Sequence, residues 1–231
     1  MNLTCVSGYW NVKNKHDNKF YDWFNTTLKI NCPYVFFCSK SSIDIIKKYR
    51  GNLPTYFIEC DIEDFYMYKY KQLMKTHPIH CPSQSLNLIW NEKIFMIQKA
   101  IDKNPFNSEY FMWVDAGICI FRDINPPTNI FPNNTKLETL PKDKFIYSSS
   151  YNYNENKVVP TQYYHHISGT YIVHKNFINI IVMLYKTYLN ELLKYDNIWT
   201  DQVVLTHIYK NHKHLFHKLC SGYGEIINFL Y

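Results

Sequence analysis

Glycine is scarce in this chain of 231 residues, with only six present. That scarcity excludes the glycine-rich phosphate cradles. No Gly-Lys-Ser/Thr element occurs, so there is no P-loop. The turn after the first expected strand holds one glycine, Gly8, where a dinucleotide fingerprint needs three. Cysteine is present seven times, but the number is odd and no Cys-x-x-Cys pair occurs. This excludes a disulfide framework and a paired-cysteine zinc site. Cys5, Cys38 and Cys119 sit inside apolar stretches, as buried thiols of a reducing compartment do. The longest apolar run, Phe177 to Tyr185, is too short to span a bilayer. No signal-peptide h-region opens the chain, so the expected location is cytoplasmic. The histidines, among them His165, His166, His207, His212, His214 and His217, do not show the spacing of a metalloprotease helix.

What the chain does have is a large apolar share. Hydrophobic residues make up 46% of it, with 21 Tyr and 15 Phe, which is the composition of a folded core. The net charge of +6 favours anionic ligands. The excess is scattered lysine with no basic arm, and no RNP or helix-turn-helix signature occurs, so nucleic acid is not an expected partner.

The order of elements predicts a parallel sheet. Leu3 to Ser7 is expected as a strand, Lys19 to Ile30 as a helix, and Tyr34 to Cys38 as a strand buried on both faces. A helix from Ser41 or Ser42 to Tyr49, stopped by Gly51, leads to a third strand over Thr55 to Ile58. This β-α-β-α-β alternation implies a doubly wound sheet. Asp61 to Ser85 is expected to be irregular, with a helical piece from Phe65 to Lys75, and Leu86 to Asp102 is a strong helix. A Pro- and Asn-rich loop is expected over 125–141 and a strand over Phe145 to Tyr147. A loop over 151–164 that closes over a ligand is expected next. Ile167 to His174 is expected as a strand, with helices over Asn176 to Leu193 and Asp201 to Tyr209.

The segment Trp113-Val114-Asp115-Ala116-Gly117 is the most informative one. It follows an apolar run and ends in two small residues, the form of a strand that delivers a carboxylate to its C-terminal end. In open α/β sheets ligands bind beyond those ends. Four other places carry chemistry, each with a plain structural alternative. Ser7-Gly8-Tyr9-Trp10 with Lys13 and Lys15 fits a base stacked on the Trp and a diphosphate met by the lysines, or a polar loop anchored by one Trp. Lys93, among apolar neighbours, either reaches a phosphate or carboxylate or snorkels to water. Gly169, inside a bulky strand, marks a close ligand approach or a bulge. Asp201-Gln202 supplies a base or charge stabiliser, or begins a helix whose cap is Thr200 or Asp201.

Taken together, Val6 to His16, Trp90 with Lys93, Asn104-Pro105-Phe106 and Phe111 to Gly117 resemble the HtrL/YibB family, including its WlaTC-type members, across nearly the whole chain. The resemblance implies a GT-A-like α/β fold, a doubly wound and mostly parallel sheet flanked by helices. It implies a single domain over 1–231, with a nucleotide-binding half (1–117) and an acceptor or catalytic half (118–231). It further implies a glycosyltransferase that moves a sugar from a nucleotide-sugar, a UDP-sugar by expectation, to a glycan or glycoconjugate. The alternative is a nucleotide-sugar-binding protein that has lost catalysis. A nucleotidyltransferase on a similar fold is a further rival, though its Gly- and Arg-rich opening loop is missing. In GT-A enzymes an Asp-x-Asp motif holds Mn2+ or Mg2+ on the donor diphosphate. Asp115 matches its first position, but Gly117 stands where the last Asp would be, which leaves three alternatives: a further ligand such as His217, a weakly bound metal, or transfer without a metal. The implied donor-binding set is Ser7, Gly8, Trp10, Lys13, Lys15, Lys93, Gly117 and Gly169, with Asp201 and Gln202 as catalytic residues.

Overall fold

The computed structural model describes residues 2–159, 164–195 and 198–231. Part of the expected 151–164 loop, residues 160–163, lies outside them. Seven strands form one sheet: β1 (Leu3–Tyr9), β2 (Tyr34–Cys38), β3 (Thr55–Glu59), β4 (Tyr110–Trp113), β5 (Phe145–Ser149), β6 (Ile167–His174) and β7 (Phe216–Ser221), in the order β3-β2-β1-β4-β6-β5-β7. All run the same way except β6, which pairs antiparallel with both β4 and β5. The sheet is thus mostly parallel, and the C-terminal ends of β1, β4, β5 and β7 share one edge with the start of β6.

Helices cover both faces: α1 (Phe20–Thr27), α2 (Ile43–Arg50), α3 (Gln84–Lys103), α4 (Asn134–Glu138), α5 (Ile178–Leu192), α6 (Asp201–Asn211) and α7 (Glu225–Leu230). Alternation along the strands sorts the core into two layers. Val6, Val35, Phe111, Trp113 and Tyr171 face α3, α5 and α6, whereas Cys5, Phe36, Met112 and Ile172 face α1, α2 and α7. β2, β4 and β6 are buried throughout, as strands covered on both faces must be. The edge strands β3 and β7 are only partly buried.

Local chemistry sets the helix ends. Ser83 caps α3 by accepting from the Leu86 N–H at 3.2 Å, and Asn104 closes it in the left-handed region at φ 35°. Gly51, at φ 58°, ends α2. The last residue of α2 has an unusual task. Arg50 is 2% exposed and donates to the carbonyls of Leu28, Ile30, Cys32 and Pro54 and to Thr55 Oγ1, with its guanidinium 4.1 Å from the centroid of the Tyr34 ring. It ties the turns entering β2 and β3 together.

The structure adds three elements to the sequence-based expectation: α4 inside the 125–141 loop, and β7 with α7 in the tail. The piece after Phe65 is a 3-10 helix, Tyr66–Leu73. Cys119 is exposed, contrary to its expected burial, because it lies in the turn beyond β4 and not in the sheet. No helix among the described residues is long and apolar enough to cross a membrane.

Candidate active site

Helix α3 carries a buried polar stripe that a core helix does not normally tolerate, so each member needs a partner. Asn87 donates to the carbonyls of Lys75 and Ile198, and Asn91 accepts from Tyr185 at 2.7 Å. Glu92 accepts the backbone N–H groups of Tyr66 and Met67, which fixes the start of the 3-10 segment. Burial raises the Glu92 carboxyl to about 7, against the pull of those two donors. Lys93, the next residue, reaches the sheet edge. Its Nζ lies 3.0 Å from Asp115 Oδ1 and 4.0 Å from Asp201 Oδ2, and its side chain is 4% exposed. Burial works against its charge, but the two carboxylates more than offset that, and its pKa rises above the ordinary lysine value.

Asp115 sits two residues beyond β4 in a tightly held turn. The Val114 N–H donates to Val6 O, the Ile118 N–H to Asp115 O, and Thr27 Oγ1 to Ala116 O. Trp113 Nε1 donates to Asp115 Oδ1 at 2.7 Å, the same oxygen that meets Lys93. The Asp115 side chain remains 44% exposed. A β-carbon built on Gly169 would lie 3.5 Å from Asp115 Oδ2 and 3.6 Å from Lys93 Nζ. The missing side chain of Gly169 therefore leaves a gap bordered by one carboxylate oxygen and one ammonium.

Asp201 stands at the first turn of α6, capped by Thr200, and is 2% exposed. Its carboxylate accepts from Thr200 Oγ1 at 3.2 Å and from Tyr171 Oη at 3.5 Å. Burial pushes its pKa up to about 6, with Lys93 opposing and Asp115 adding to the rise. The helix does start here, with Thr200 as its cap, and Asp201 joins the charged cluster. It does so through Lys93, 4.0 Å away, with the residue itself 2% exposed. Gln202 donates to Ile167 O at 2.8 Å and lies 3.4 Å from Tyr223 Oη, beside the start of β6.

The other expected residues separate. Trp10 is 6% exposed, donates through Nε1 to Cys60 O at 2.9 Å, and meets Phe65 edge-on. A β-carbon on Gly8 would come within 2.7 Å of its ring, so Gly8 makes room for the indole. Trp10 is the structural anchor of this turn, and its faces are not free to stack on a base. Ser7 is fully buried and its hydroxyl has no hydrogen-bond partner among the described residues. Lys13 is exposed, and its carbonyl accepts from Ser83 Oγ. Lys15 is exposed; partial burial and Arg122 lower its pKa, and Asp115 opposes them.

His217 does not join Asp115. It is exposed on β7, in the row Met112–Ile172–Ile146–His217, at the strand end away from the site edge. Three strand spacings alone put it roughly 14 Å off. A β-carbon on Gly117 would come within 2.8 Å of Phe20 and 3.0 Å of Trp23, so a carboxylate there requires those rings to move. Asp115 Oδ1 meets Trp113 and Lys93, which leaves Oδ2 as the oxygen of Asp115 outside those contacts. No group of three His, Cys, Asp or Glu among the described residues could hold a metal. Of the Asp-x-Asp pair, Asp115 is present and Gly117 stands in place of the second carboxylate.

Arg122, which the sequence reading did not single out, lies beside the Asp115 turn. Arg122 Nε donates to Gly117 O at 2.9 Å, and its guanidinium lies 3.9 Å from the centroid of the Trp23 ring. The available signal was rarity: Arg50 and Arg122 are the two arginines among 25 basic residues.

A solved structure with a similar outline is 4-diphosphocytidyl-2C-methyl-D-erythritol synthase from Anaerococcus prevotii DSM 20548, at 11% identity and a TM-score of 0.40, covering 90% of this chain and 98% of that one. A likeness at that level says nothing of activity. No curated protein matches the chain. The family described as "Bacterial protein of unknown function (HtrL_YibB)" matches residues 58–228, a span that includes Lys93, Asp115, Gly169 and Asp201. The chain belongs to the HtrL_YibB family.

Proposed function

We propose that the chain is a glycosyltransferase that takes a sugar from a nucleotide-sugar donor, a UDP-sugar in the first instance, and places it on a glycan or glycoconjugate. One observation carries this reading. An ammonium and a carboxylate oxygen border the same glycine gap at the carboxyl edge of a mostly parallel sheet, where ligands of such folds bind. The gap gives a sugar ring room to approach the sheet floor. In the transfer the bond between the anomeric carbon and the donor phosphate oxygen breaks, and its electron pair leaves with the nucleoside diphosphate. An acceptor hydroxyl oxygen bonds to that carbon, and its proton passes to Asp115 Oδ2. Lys93 sets a fixed positive charge beside Asp115 and keeps the carboxylate in place. Asp201, with Tyr171 and Thr200, is a positioning residue for Lys93. All seven cysteines are free, which supports a cytoplasmic site of action.

The test is a panel of UDP- and GDP-sugars, with donor hydrolysis and transfer to oligosaccharide acceptors followed by mass spectrometry. Donor-dependent release of nucleoside diphosphate that is lost in Asp115→Asn supports the reading. Tight donor binding without turnover across the panel favours the inactive binding protein.

A further inference from the structure

We infer that Arg122 and Lys15 form a metal-independent anion clamp for the diphosphate of the donor, with the guanidinium in the role that the absent second carboxylate and its ion would otherwise fill. This rests on the proposed donor carrying a diphosphate. The geometry starts at Gly117. Its lack of a side chain admits the rings of Phe20 and Trp23, and its carbonyl takes the Nε–H of Arg122. Trp23 then carries the guanidinium on its face. One edge of the fork is thus fixed by the backbone and one face by an indole. Neither contact uses the terminal nitrogens, the part of the group that grips phosphate oxygens in pairs.

Lys15 approaches from the other wall. Its neighbour His16 packs edge-on against Trp23 at 4.9 Å and Phe20 at 6.1 Å, which brings the 15–16 turn to the ring that supports Arg122. Among the described residues neither Lys15 nor Arg122 has a carboxylate within ion-pair distance, while the nearby Lys93 is paired twice. The surrounding groups register the excess charge. Burial, then Arg122, Lys15 and Lys19, push His16 down to about 4, so its ring is neutral at physiological pH. Partial burial and Arg122 lower Lys15 as well, with Asp115 opposing. Two unpaired cations beside one exposed carboxylate fit a ligand with at least two negative charges. Rarity points the same way. In a chain that uses lysine almost everywhere, arginine is kept where a planar fork is held by the backbone, as at Arg50.

Isothermal titration of the whole chain with inorganic diphosphate, UDP and uridine, in excess EDTA and then with Mn2+, tests this. Diphosphate and UDP are expected to bind in EDTA. Arg122→Gln and Lys15→Gln should each weaken diphosphate by roughly tenfold or more and flatten the salt dependence, while the uridine titration stays unchanged. Lys15 is exposed, so its variant guards against a folding defect in Arg122→Gln, and melting curves check both. Binding that EDTA abolishes and Mn2+ restores overturns the clamp, as does wild-type diphosphate affinity in both variants. If the clamp behaves as stated but UDP binds no tighter than diphosphate, the clamp stands and the nucleotide-sugar reading falls. If UDP binds tightly without either residue, the clamp falls and that reading stands.

Discussion

Replacing Lys93 by Met removes the ammonium that lies 3.0 Å from Asp115 and 4.0 Å from Asp201 while keeping most of the side-chain volume. The size of the defect follows from Asp201. In the wild-type protein its pKa is about 6, against an ordinary value of 3.8. A carboxyl raised in this way gives its full stabilising contribution below the unfolded value, and that contribution is lost as pH rises through 6. Without Lys93, the hydroxyls of Thr200 and Tyr171 and the Gln202 N–H remain on the group with the Asp115 charge nearby, and it holds its proton to higher pH. Proton uptake therefore caps the Asp201 share. Between pH 6 and about 7.5 it amounts to about 2 kcal/mol. Asp115 is far more exposed and adds about 0–1 kcal/mol. Urea unfolding followed by tryptophan fluorescence should thus show Lys93→Met destabilised by about 2–3 kcal/mol near pH 7.5 and by under about 1 kcal/mol near pH 5. Adding Asp201→Asn should recover most of the loss at the higher pH. A deficit that is equal at both pH values, or larger in acid, would refute the charged-cluster account.

Three further outcomes are expected. Gly169→Ala meets its neighbours at ordinary contact distance, so its melting temperature should match wild type, while the new methyl fills the substrate gap and lowers turnover by at least about tenfold; unchanged kcat/KM would remove the gap from the site. Arg50→Met strips four carbonyls of a donor and should cost about 2–5 kcal/mol in denaturant titration, with donor affinity of the folded fraction intact. Trp10→Phe loses the bond to Cys60 and should destabilise by about 1–2 kcal/mol while leaving UDP affinity as in wild type; a fall in affinity would return Trp10 to the binding set.

Much of the central sheet was legible because its strands are buried on both faces and read as apolar runs. β2 and β6 were bounded correctly, and Lys93 stood out as a lysine among apolar neighbours. β7 was not legible. Phe216–Ser221 mixes His, Lys and Ser with apolar residues, and it is a strand because β5 offers it a partner. Its place in the sheet also decides that His217 lies far from Asp115, which no local pattern encodes. The turn after β1 misled for a related reason. A Trp beside a Gly looks the same whether the ring stacks on a ligand or fills a hole, and the carbonyl that settles the matter belongs to Cys60, fifty residues on. Arg122 was missed because its role depends on Gly117 being empty.

The single reversed strand has a consequence for how relatives of this chain can diverge. Because β6 runs against β5, with Ser149 opposite Ile167, the connection between them leaves and rejoins the sheet at the very rim that holds Asp115. Residues can be gained or lost in that connection without shifting any strand's register. Under the function proposed above, the described ends of this connection stand at the rim that holds Asp115, which makes them the first place to graft when a different acceptor is wanted.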